Sequence, residues 1–116
     1  MLNQVILVGR LVEEIQLKEN ENGKKNAEIT LAVGRPFKNE NGEYDTDFID
    51  CVLWTGVAEN TAEYCHKGDI IGIRGRIQSR IIENEDGTKS KQMGIVAEKV
   101  TFLSSEKGTK DEEENS

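Results

Sequence analysis

Along most of this chain apolar positions alternate with polar ones, the two-residue period of strands with one face buried. Segments of this kind run at about 3–11, 27–35, 47–54, 70–82 and 93–103, with β-branched residues prominent. Three polar runs punctuate the chain: ENENGKK with Gly23, KNENGEY with Gly42 and ENEDGTK with Gly87. Each contains an Asn-Gly or Asp-Gly step that supplies the positive φ of a tight turn, so each predicts a hairpin. Between the third and fourth segments the period changes. In VAENTAEYCHKG, Val57, Ala58, Thr61, Ala62, Tyr64 and Cys65 recur at helical spacing, and Gly68 after Lys67 predicts the stop.

The order strand, strand, strand, helix, strand, strand suits an all-β fold: a five-stranded OB-fold Greek-key barrel with one short helix between strands 3 and 4. Composition alone allows other small barrels. In DFIDCVLW, Ile49, Cys51 and Leu53 fall on one face, and Phe48, Asp50, Val52 and Trp54 on the other. A barrel wall buries one face only, which leaves two large aromatics outside. In IIGIRGRIQSRII, Ile71, Ile73, Gly75, Ile77 and Ile81 share the core parity, and Arg74, Arg76, Gln78, Arg80 and Ile82 share the outer one.

Outward aromatics near outward arginines predict a surface for nucleic acid. A base offers a flat π-face whatever its identity, so stacking on Trp or Phe contributes about 1–3 kcal/mol per base without reading sequence. Arginine neutralises phosphate or stacks in its own right. Phe48 and Trp54, six residues apart, stand roughly 20 Å apart along a strand at about 3.3 Å per residue, a span for several nucleotides. Two blander readings remain open: a subunit interface for the aromatics and an ordinary solvated face for the arginines.

Length and charge narrow the function classes. With 116 residues the chain fits one domain, 1–103, and an acidic tail, 104–116, in which apolar patterning stops and disorder is expected. The tail carries five acids and two lysines, a net −3, which leaves −4 of the total −7 on the domain. Any phosphate-binding surface is therefore a local stripe. Two cysteines and one histidine are too few for a usual structural zinc site, so no metal and no cofactor are expected, and Cys51 and Cys65 read as buried reduced thiols. No basic leader or long apolar run points to a signal peptide or membrane span. The carboxylates cluster in turns and tail with no acid/base pair or phosphate-cradling glycine loop, which argues against an enzyme.

Five segments, NQVILVGRL at 3–11, ITLAVGRPF at 29–37, DFIDCVLW at 47–54, AENTAEYCHKGD at 58–69 and IRGRIQSR at 73–80, resemble in order those of the bacterial single-stranded DNA-binding proteins. The resemblance implies an OB-fold core, a homotetramer, and sequence-tolerant binding and protection of single-stranded DNA in replication, recombination and repair, in the cytoplasm with the nucleoid. It also implies stacking at Phe37, Phe48 and Trp54 and basic contacts at Arg10, Arg35, Lys67 and Arg80, whereas Arg74 and Arg76 rest on strand parity. The chain departs from the family pattern in four ways. Ile82 stands where the family carries an aromatic, which keeps apolar contact but loses a platform. Thr55-Gly56 stands where basic residues are usual. The acids of the tail are followed by Asn115-Ser116 rather than a Pro-Phe tip, which argues against docking of replication and repair proteins. The fourth departure is the acidity of the core. An OB-fold module that binds RNA or a protein partner is the alternative.

Overall fold

All three Asn/Asp-Gly steps make hairpins, each with the same three-residue loop. Asn20, Asn39 and Asn84 open the loops, and the glycine amide three residues on donates to the asparagine carbonyl at 2.9–3.0 Å. Gly23, Gly42 and Gly87 adopt φ of 78°, 79° and 85°, the left-handed geometry that closes such a loop. In the first two loops the asparagine side chain also accepts two backbone amides, at 2.8–3.0 Å.

The computed structural model describes residues 1–105. Its elements are β1 (Val5–Leu11), β2 (Lys18–Glu19), β3 (Lys25–Lys38), β4 (Tyr44–Trp54), α1 (Thr55–Tyr64), β5 (Ile70–Glu83) and β6 (Lys89–Ser104). Five of the strands close a ring: β1 pairs β5, β5 pairs β6, β6 runs parallel to β4, β4 pairs β3, and β3 returns to β1. This is the expected five-stranded barrel, with α1 between its third and fourth strands. The two-residue β2 is an addition that forms the other arm of the Gly23 hairpin. The tail expected from residue 104 lies, apart from Ser104 and Ser105, outside the described residues, and Ser104 still belongs to β6.

Alternation places the core. Ile29, Leu31, Cys51 and Leu53 of β3 and β4 meet Leu11, Ile71, Ile73 and Ala97, with Ala58 of α1 as the plug. Leu11, Leu31, Leu53, Ile71 and Ile73 are fully buried, each contributing about 1.5–3 kcal/mol relative to exposure. Gly75 sits where β5 crosses a bulge in β6, and a Cβ there would run into the Val96 carbonyl.

Two expectations are corrected. Ile77 and Ile81 share parity with the core, yet Ile81 is 71% exposed. Pairing of β1 with β5 ends at Gly75, and beyond Ile77 only β6 accompanies β5, so this hairpin leaves the barrel and has no interior to fill. The helix ends at Tyr64, short of Gly68. Cys65 turns to extended geometry (φ −115°, ψ 141°) and buries its side chain in the core, which pulls the chain off the helical path. Gly68 instead shapes a turn over 66–69, with φ 93°, and its amide donates to the Leu11 carbonyl.

Candidate nucleic-acid interface

The outer face of β3 and β4 carries what the alternation left outside. Phe48 stands 67% exposed opposite the small Ala32, which in turn pairs with Arg10 of β1. Arg10, Ala32 and Phe48 therefore form one row across three strands, all on the outer side. Arg10 reaches from that row to donate to the Gly68 carbonyl at 2.6 Å. Trp54 ends β4 half-buried, and the ammonium of Lys24 lies 4.7 Å from its ring centroid. The next residue, Thr55, has φ 49°, a left-handed conformation strained for a β-branched side chain, which turns the chain directly from Trp54 into α1.

Beside this face runs a cleft of about 590 Å³ between the barrel wall and the projecting β5–β6 hairpin. Trp54, Arg80, Gln92, Met93 and Lys18 line it, and so do Glu13, Glu14, Glu28 and Asp50. Four carboxylates thus face two cations. Arg80 is aimed by two hydrogen bonds to Gln92 Oε1, at 3.0 and 3.1 Å, and Asp50 accepts from the Thr30 hydroxyl at 2.7 Å. Arg74 and Arg76 do not line the cleft. Arg74 pairs with Ile6 and Lys99 on the β1–β5–β6 wall, and Arg76, at the rim of the cleft, is tied to Glu98 at 3.5 Å and to Gln78, which lines it. The row expected along β5 is thereby divided, with Arg80 alone brought to the side of Trp54.

The remaining candidates are scattered. Phe37 is exposed within a bulge in which Arg35, Pro36 and Phe37 stand opposite the single Asp45. Arg35 is already engaged, donating to both carboxylate oxygens of Asp47 at 2.9–3.2 Å, with Asp45 at 3.6 Å. The hydrogen bond from Arg35 holds the Asp47 carboxyl below its usual range. Lys67 lies exposed in the turn after α1, its amide donating to Glu14. Ile82, half-buried on β5, pairs with Ser90 near the hairpin end.

Three residues escaped the sequence reading. Tyr44 shares the parity of Phe48 and Trp54 and was legible by carrying the alternation to the start of the hairpin. Lys24 and Lys18 left no periodic signal, because their placement depends on the Gly23 turn. Cys51 and Cys65 are free and buried. Burial, with a lesser push from Asp50, raises the Cys51 thiol to about 11, and burial, then Asp69, raises Cys65. No group of three or more metal-ligating side chains occurs among the described residues.

Comparison with known proteins bears on the family and the fold. The model of the single-strand binding protein family matches residues 2–103. Single-stranded DNA-binding protein B of Bacillus subtilis is 47% identical over 103 residues, covering 89% of this chain and 91% of that protein. A single-stranded DNA-binding protein of Halalkalibacterium halodurans is 48% identical over 103 residues, but this chain spans only 61% of its length. Among solved structures, a Plasmodium falciparum SSB in complex with ssDNA superposes with a TM-score of 0.74 at 22% identity, over 89% of this chain and 96% of that one, a likeness of fold.

Proposed function

The chain belongs to the single-strand binding protein family, and from that membership we propose that it binds and protects single-stranded DNA, with little regard to sequence, in replication, recombination and repair. The observation that carries this is Phe48. A phenylalanine 67% exposed on a barrel wall, in one row with Arg10 and on one strand with Trp54, has no packing role in the chain itself. Bases stacked on it and on Trp54 recover its burial, which makes binding tolerant of sequence. Binding, not catalysis, is the activity, as in the family at large.

Each site residue then has a part. Phe37, Phe48 and Trp54 stack, and Ile82 offers apolar contact. Arg80 meets phosphate at the cleft, Arg10 at the end of the Phe48 row with Lys67 near it, and Arg35 once a phosphate displaces Asp47. Arg76 and Arg74 meet only DNA that continues around β5. Because carboxylates outnumber cations in the cleft, stacking supplies more of the affinity here than charge. A homo-oligomer, with the tetramer as its expected form, is supported by the exposed apolar side chains of β1 and the end of β6. Ile6 is 72% exposed there, flanked by exposed Val8 and by Leu103, which lies over Gly72. Light scattering that returns a monomer at micromolar concentration contradicts the assembly.

Fluorescence anisotropy with matched oligo-dT, oligo-U and duplex DNA tests the function. Oligo-dT is expected to bind tightest and duplex weakest. Equal binding to duplex overturns the proposal, and tighter binding to oligo-U favours the RNA alternative.

A further inference from the structure

We propose that Tyr44 is an additional nucleobase-stacking station, with Lys38 as its phosphate contact. Granted the single-strand-binding function above, on which this rests, the reason lies in a likeness between the two ends of the β3–β4 ribbon. At one end Trp54, the last residue of β4, is capped by Lys24, which precedes β3. At the other end Tyr44, the first residue of β4, is capped by Lys38, the last residue of β3, whose ammonium lies 5.8 Å from the ring centroid. Tyr44 is 61% exposed and pairs directly with Lys38. Alternation along β4 puts Tyr44, Phe48 and Trp54 on one side, ten residues end to end, or about 33 Å of strand at ~3.3 Å per residue.

Two further features fit a binding station better than an idle surface ring. Among the described residues Lys38 makes no ion pair, although Glu40, Glu43 and Asp45 are close in sequence. Its charge therefore stays available for a phosphate. The ribbon end is also held in shape without help from the tyrosine. Arg35 clamps Asp47 and Asp45, Asn39 donates to Asp45 at 3.0 Å, and the Asn39 side chain holds the loop amides. A ring on a fixed ribbon loses little freedom when a base stacks on it. The base takes the position of the ammonium on the ring, and the displaced ammonium is left beside the sugar-phosphate chain. A platform at Tyr44 offsets the one that Ile82 does not provide.

The direct test moves the reporter. In a Trp54→Phe, Tyr44→Trp double variant the only indole sits at position 44, and saturating oligo-dT is expected to quench its emission. Tyr44→Ala in the otherwise unchanged chain is expected to weaken binding of a dT long enough to span the ribbon by about fivefold or more, and Tyr44→Phe to preserve it. Thermal melting should be unchanged in both single variants, since the ring is exposed. Oligonucleotide that binds by anisotropy while the indole at 44 stays bright, or Tyr44→Ala that binds as tightly as the unsubstituted chain, overturns this inference alone. Failure of the unsubstituted chain to bind oligo-dT removes the single-strand-binding function and this station with it.

Discussion

Replacing Arg74 and Arg76 together by Ala should separate DNA that lies in the cleft from DNA that runs on around the barrel. Arg74 pairs with Ile6 where β5 runs beside β1, Arg76 lies just past the end of that pairing and is bonded to Glu98 and Gln78, and of the three only Arg80 lines the cleft. Each phosphate contact on single-stranded DNA adds about 0.7 to the slope of log K against log salt. Between 1 M and 0.1 M salt one contact is then worth 10 to the power 0.7, about fivefold, and two about 25-fold. A dT of about 8 nucleotides, within the ~4–16 that one OB fold holds, should lose neither slope nor affinity in the double variant. A dT several times longer should lose about 1.4 in slope, and Arg80→Ala should lower the slope by about 0.7 for both lengths. The exposed Arg76–Glu98 pair is worth at most about 1 kcal/mol, so the variant should fold. Anisotropy titrations across a salt series read the slopes of the unsubstituted chain and both variants at each length. Equal losses for the short and long oligonucleotides would show that Arg74 and Arg76 share the path of Arg80 and Trp54, contrary to their place outside the cleft lining.

Asp47→Asn should free Arg35 and raise oligo-dT affinity, adding about 0.7 to the salt slope. Because the Asp47 carboxyl is held below its usual range, its pairing with Arg35 persists at neutral pH and is lost only as the pH falls through that lowered value, so the unsubstituted chain should show the same gain only in acid. Cys51 and Cys65, buried and with raised thiols, should resist a thiol reagent at pH 8 until the protein is unfolded, and rapid labelling of the native chain would contradict their burial. Thr55→Gly should stabilise the fold by about 1 kcal/mol in denaturant unfolding, because glycine adopts the left-handed geometry at no steric cost, and a loss of stability would mean that the Thr55 side chain offsets its own strain.

The barrel was legible because its signals are local. Strand alternation, three Asn/Asp-Gly loops and one change of period defined the element order, and Ile49 to Leu53 pointed as their parity required. Parity failed at Ile77 and Ile81 because it tells which side a residue faces and not whether anything covers that side. Coverage depends on where β1 stops pairing, which is a property of the closed ring. The same limit governed the site. Phe48 and Trp54 were visible as aromatics out of place, but the division of the β5 arginines between cleft and wall was not. Nor was the capture of Arg35 by Asp47, twelve residues away, because a bulge sets that pairing and leaves no periodic trace. Lys24 over Trp54 belongs to the same class, a contact made by a turn.

The central claim is that bases stack on the outer face of β4, and Trp54, the single tryptophan, reports on it directly. Oligo-dT is titrated into the unsubstituted chain at two salt concentrations, with Trp54 emission and the anisotropy of labelled DNA followed together. Stacking predicts that emission falls in step with anisotropy to a saturable limit. The phosphate contacts further predict that affinity falls with salt by about 0.7 in slope per contact, while the limiting quench at saturation stays the same. Saturated binding that leaves Trp54 emission unchanged would contradict the account.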